Sequence, residues 1–172
     1  KIDFVEIILN KQRWEVRWKM KNSKVRIFGL YDMSVKEFLA VSIHEFSHFY
    51  DLYILEKKVL KDTSEYFYDI SWLNTNTIKK SISESDFVSW YAMTNKYEDF
   101  AESYTYYVLH NSDFYSKALE SKILMDKYNF FRNFVFINEE FITNKFRVEE
   151  NIKDYYRDIT KIDFSLENFL QY

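Results

Sequence analysis

The chain has no cysteine, no proline, a single glycine and only three histidines among its 172 residues. Without cysteine it can form neither disulfides nor thiolate metal sites, and nothing ties it to one redox compartment. No apolar run approaches the roughly 18 residues of a membrane-spanning helix. A formal net charge of −3 gives no electrostatic reason to expect nucleic acid. Neither methionine nor a signal-peptide pattern opens the chain at Lys1, as expected of a mature or excised domain. What fills the space is Lys, Asn, Ile and above all aromatics, 17 Phe and 15 Tyr. A base-stacking surface would pair such rings with a basic stripe. None is present, so a compositional bias is the better explanation. The tetrapeptide KIDF occurs at Lys1–Phe4 and Lys161–Phe164, but no similarity extends beyond it, and no repeat is inferred.

Hydropathy patterning divides the chain in two. In residues 13–19, RWEVRWK, Trp14, Val16 and Trp18 alternate with charges, the signature of a half-buried strand. Lys21-Asn22-Ser23 offers a turn, and 24–30, KVRIFGL, alternates again, predicting a hairpin. Gly29 fits a turn or a strand irregularity better than a ligand contact. From Ser34 the period becomes helical. Ser34 and Glu37 form a capping box that opens a helix predicted to reach about Leu60. An irregular stretch to about Ser85 follows, then a short helix around 86–92. Asn95 is placed to cap a helix from about Lys96 to His110, and Ser112 to cap another. Helical patterning continues over 130–144 and 148–159. With no linker rich in glycine or proline, the expectation is one α+β domain over residues 1–172. Its β-rich part covers about 1–33, and the remainder is mostly helical.

Two of the three histidines lie in IHEFSHF, residues 43–49. His44 and His48 are one helical turn apart on one face, where two imidazoles can hold a single metal ion at about 2.0–2.1 Å. Glu45 is rotated by about 100° from His44, so it reaches a water at the ion more readily than the ion itself. This is the HExxH pattern of zinc peptidases. A catalytic zinc needs a third protein ligand and an open fourth position. Asp51 shares the face, but seven residues of helix span about 10.5 Å, too far for a short side chain. No third histidine follows at metzincin spacing, and His110 is distant in sequence. Better candidates are Glu98 and Glu102 in YAMTNKYEDFAESY, residues 91–104, which are i,i+4 on the predicted helix. One can bind metal while the other orients a ligand histidine.

Together His44–His48 and Tyr91–Glu102 resemble the catalytic domain of the anthrax lethal factor family, which includes clostridial Pro-Pro endopeptidases. The likeness runs from about His44 to Asn144, through VLHNSDF at 108–114 and FINEEFITN at 136–144, and weakens before Val41 and after Phe146. It implies a zincin-like fold and one Zn2+ ion held by His44, His48 and Glu98. It further implies Glu45 as general base and acid, Tyr91 as transition-state stabiliser and Glu102 behind a ligand histidine. Ser47 stands where relatives carry glycine; a small residue still fits. Tyr91 also has a chemical case, since a tetrahedral intermediate needs a hydrogen-bond donor for its oxyanion.

The expected function is a gluzincin-type zinc endopeptidase acting on a peptide or protein through a zinc-activated water. The family that the chain resembles includes an intracellularly acting toxin component and secreted processing enzymes, and the sequence does not choose between them; the expected localisation is secreted or extracellular. The alternative is a peptidase-like binding module that has lost catalysis. A structural zinc site would recruit a fourth protein ligand, for which no spare His or Cys is placed. Amidase and esterase chemistry would use the same machinery. Cleavage preference and oligomeric state are silent in the sequence. Substrate docking is expected along strand 24–30, by strand addition to a free sheet edge, unless that strand is central.

Overall fold

A computed structural model describes residues 4–8, 18–21, 24–28, 33–56, 62–138, 141 and 157–171. Its architecture is α+β. Strands β1 (Phe4–Ile8), β2 (Trp18–Lys21) and β3 (Lys24–Phe28) form one sheet, and β4 (Trp72–Asn74) pairs antiparallel with β5 (Thr77–Ile78) in another. The helices are α1 (Val35–Tyr50), α2 (Thr63–Ser71), α3 (Lys96–Leu109), α4 (Asn111–Ala118), α5 (Lys122–Phe130) and α6 (Leu166–Leu170). Among the described residues, no helix is long and apolar enough to cross a membrane.

The expected hairpin exists: Trp18 faces Ile27 and Lys21 faces Lys24 in antiparallel register. Residues 13–17 and Gly29 lie outside the described residues. The docking expectation, however, is overturned. The strand order is β1-β3-β2, and β1 pairs with β3 in parallel, Phe4 opposite Lys24 through Ile8 opposite Phe28. Over the described residues 24–28 both edges of β3 are therefore occupied by neighbouring strands, which leaves no free edge there for an added peptide strand. β1 arises from a segment to which the sequence patterning assigned no element.

Helix α1 begins where the sequence predicts. Ser34 Oγ accepts from Glu37 N at 3.1 Å, satisfying one of the orphan N–H groups of the first turn. Its buried face carries Ala40, Val41, His44, Ser47 and Phe49. Instead of running unbroken to Leu60, the α-helix ends at Tyr50 and widens into a π-helical segment, Asp51–Leu55; residues 57–60 lie outside the described set. Helix α2 and the β4–β5 hairpin occupy the stretch expected to be irregular. Two 3₁₀ turns, Glu84–Asp86 and Tyr91–Met93, replace the short helix around 86–92.

Asn95 caps α3 as expected, its Oδ1 accepting from Tyr97 N at 2.9 Å and Glu98 N at 3.1 Å. Every residue from Asp99 to Leu109 is buried, so α3 is a central helix enclosed on all sides. Around it the aromatics form the core. Phe67, Phe100 and Phe131 sit with ring centroids 5.2–5.4 Å apart in tilted and edge-on contacts, the geometry that aromatic quadrupoles favour. Helix α4 starts at Asn111, which places Ser112 inside its first turn rather than at its cap. The 130–144 pattern resolves into the end of α5 and a π-helical segment, Phe131–Val135; 139–140 and 142–144 lie outside the described residues. Of 148–159, only 157–159 is described, leading into the 3₁₀ turn Ile159–Lys161.

Candidate metal centre

Helices α1 and α3 pack so that residues 54 positions apart converge. His44 Nε2 lies 3.2 Å from Glu98 Oε2, and His48 Nε2 lies 3.4 Å from the same oxygen. The two imidazole rings meet edge-on with centroids 5.1 Å apart. One ligand atom from each of His44, His48 and Glu98 falls within 4.8 Å of the other two. In a tetrahedral zinc site with bonds near 2.0–2.2 Å, neighbouring ligand atoms stand roughly 3.3–3.5 Å apart, a spacing that the two nitrogen–oxygen separations match, so the three residues could hold one ion. Their nitrogen and oxygen donors also suit zinc. His44 is buried, whereas His48 and Glu98 are partly open to solvent, which leaves an approach for a fourth ligand.

The local charges favour a cation. Burial alone would lower the His44 pKa, but hydrogen bonds to Glu102 and Glu98 hold it up at about 10. Burial would likewise raise Glu98, yet the hydrogen bonds from His44 and His48 and their charge bring it down to about 2. Ligation requires a free lone pair on the imidazole, so an entering ion must displace the Nε2 proton.

Glu102 stands on the other side of the His44 ring. Its Oε1 faces His44 Nδ1 at 3.0 Å. Its Oε2 accepts from Ser89 Oγ at 2.6 Å and from Ile159 N at 2.8 Å. A carboxylate facing Nδ1 favours the proton there and leaves Nε2 directed at Glu98, the support that a metal-binding histidine would use. The i,i+4 pair of glutamates is thereby divided: Glu98 points at the imidazole Nε2 atoms, and Glu102 stands behind one of them.

Glu45 is half-buried beside this centre, its pKa raised by burial against the opposing charge of His44 and His48. A raised carboxyl is a better proton acceptor once ionised. Tyr91 belongs to the 3₁₀ turn Tyr91–Met93, with its ring centroid 6.0 Å from that of His44. Its phenol pKa is raised by partial burial and then by Glu98, Glu102 and Glu45, so the hydroxyl keeps its proton and can donate. Asp51 lies elsewhere, as its helical offset requires: it accepts from Tyr68 Oη and is buried against α2. His110 packs between Tyr106 and Phe164, away from the other two histidines.

Two contributors carry no sequence signature. Ser89 is one serine among many, and the Ile159 contact is made by a backbone N–H. Only the fold brings them to Glu102. Compared with models of protein families, with curated proteins and with solved structures, the chain finds no match.

Proposed function

We propose that this chain is a zinc-dependent endopeptidase of the gluzincin type, with His44, His48 and Glu98 as zinc ligands. The observation that carries the reading is the convergence of His44, His48 and Glu98, one ligand atom of each within 4.8 Å of the other two, with Glu102 behind His44. Zinc, when bound, supplies a Lewis acid that acidifies water and polarises a carbonyl. Glu45 takes the proton of the attacking water and returns it to the leaving amine, so that O–H adds to the carbonyl carbon and N–H to the departing nitrogen. The Tyr91 hydroxyl donates to the oxygen that gains charge as the carbonyl becomes tetrahedral. The resemblance to the lethal factor family supports a peptide substrate, for a toxin component or a secreted processing enzyme alike.

The test joins metal analysis to cleavage of a diverse peptide library. Wild-type protein is expected to bind one zinc and cleave. Glu45→Gln should keep zinc and fold but lose hydrolysis. Tyr91→Phe should lower kcat by about 10²–10³ while changing KM less, since its contact forms mainly in the transition state. Zinc binding without any hydrolysis by wild type would favour a binding module over the enzyme.

A further inference from the structure

Ser89 is fully buried, and its hydroxyl is used twice. Its Oγ–H donates to Glu102 Oε2 at 2.6 Å, and the same oxygen accepts from Ala92 N at 3.1 Å. Ala92 is the middle residue of the Tyr91–Met93 turn. One hydroxyl thus joins the carboxylate behind His44 to the turn that presents Tyr91. A second tie runs in parallel through the C-terminal segment. Tyr91 N donates to Arg157 O at 3.0 Å, and two residues later Ile159 N donates to Glu102 Oε2 at 2.8 Å. That segment is itself anchored to α1, where Lys36 Nζ contacts Asp163 Oδ1 at 2.6 Å and Lys161 pairs with Glu37. Glu102 Oε2 therefore accepts two donors that both lead to Tyr91, while Oε1 faces the histidine.

From this geometry we propose that Ser89 is a positioning residue, setting His44 through Glu102 and Tyr91 through Ala92. It rests on the assignment of His44 as a zinc ligand and Tyr91 as the oxyanion donor. A serine serves here because one hydroxyl donates once and accepts as well, whereas alanine does neither. Loss of the hydroxyl leaves Ala92 N–H unpaired inside the protein and frees Glu102 to rotate about its remaining partner. The consequence is a less defined Nδ1 contact and a looser Tyr91 turn, with no contact between Ser89 and substrate.

The experiment is a pair of double-mutant cycles. In the first, zinc affinity is measured by chelator competition, independently of hydrolysis. Ser89→Ala should weaken zinc about tenfold, the lower end of the range for loss of an outer-shell partner. In a Glu102→Ala background the same change should cost less than about twofold, because its route to His44 is gone. Ser89→Thr, which keeps the hydroxyl, should bind zinc as wild type does. Should Ser89→Ala fail to fold, Ser89→Cys, with similar volume and a weak S–H donor, is expected to show an intermediate loss. Unchanged zinc affinity in Ser89→Ala or Ser89→Cys, or losses that multiply with Glu102→Ala, would overturn the proposal. In the second cycle, on zinc-saturated protein, Ser89→Ala should lower kcat about tenfold with KM nearly constant, and have little further effect in a Tyr91→Phe background. Multiplicative losses there would remove the Tyr91 arm. A wild-type protein that cleaves no peptide would sink the peptidase reading, while the zinc cycle would still decide the role of Ser89.

Discussion

Glu98 and Glu102 carry the same side chain one helical turn apart, and their surroundings assign them different tasks. Glu98 Oε2 meets both imidazole Nε2 atoms, whereas Glu102 faces His44 Nδ1 with one oxygen and accepts from Ser89 Oγ and Ile159 N with the other. Glu98→Ala is therefore expected to abolish tight zinc binding. Glu102→Ala should weaken it by about 10–100-fold. Asp51→Ala should leave it unchanged, yet lower stability by about 1–3 kcal/mol, because the buried Tyr68 hydroxyl loses its acceptor. Chelator competition and urea unfolding of the three variants check this order, and a Glu98→Ala protein that retains full affinity would reverse the division. Much of this centre is legible in the sequence. Histidines four apart with an adjacent glutamate, and glutamates four apart downstream, each declare a shared helix face. Ser89 is not legible, because a hydroxyl acquires its role only when a distant carboxylate is brought to it.

At the scale of elements, the two helices that build the centre are also the two with the plainest start signals. Ser34 and Asn95 each accept from N–H groups of the first turn that follows. Loss of either cap should cost about 1 kcal/mol. Their effects on metal should differ. Asn95 holds the N–H of Glu98 itself, so Asn95→Ala should weaken zinc as well as stability. Ser34 stands about three turns before His44, and Ser34→Ala should affect stability alone. Equal zinc affinity in both variants would show that the start of α3 does not need its cap to place Glu98. Asp62 and Ser121 cap α2 and α5 in the same way, accepting from Ser64 N and Leu124 N, but a cap is legible only where an apolar stripe follows it. In α2 the buried set is Thr63, Ser64, Phe67, Tyr68 and Ser71, a face too polar to register as an apolar stripe. The central position of β3 was hidden for another reason. Alternation along a strand reports which faces are buried, not how many neighbours it has, and its second partner lies at Phe4–Ile8.

Across the whole molecule, the centre depends on α3 staying fixed inside an aromatic core, and one buried ion pair ties that helix to its neighbours. Lys127 of α5 lies 2.9 Å from the Asp99 carboxylate on α3, with both side chains fully buried. Trp72 Nε1 of β4 donates to Asp99 Oδ2 at 2.9 Å. Lys127 Nζ also donates to Asp86 O at 3.1 Å and sits 4.0 Å from the Phe87 ring centroid. Burial raises the Asp99 pKa and lowers that of Lys127, while each charge opposes the other's shift. Removing one partner leaves a buried charge without compensation, so Lys127→Met should cost about 3–5 kcal/mol at neutral pH. Replacing both, as Lys127→Met with Asp99→Leu, should cost less than the single change, although Trp72 then lacks its acceptor. The sign of the pH dependence follows from Asp99. Without Lys127 its folded pKa lies still further above the unfolded value of about 3.9. The folded state then binds the extra proton, so the variant is most stable on the acid side and loses stability as pH rises through that raised pKa. Urea unfolding of Lys127→Met relative to wild type, at about pH 5 and about pH 8, should show the larger deficit at the higher pH. A deficit that is constant with pH, or largest in acid, would mean that Asp99 is not left as an uncompensated charge and that the tie between α3 and α5 is made by packing instead.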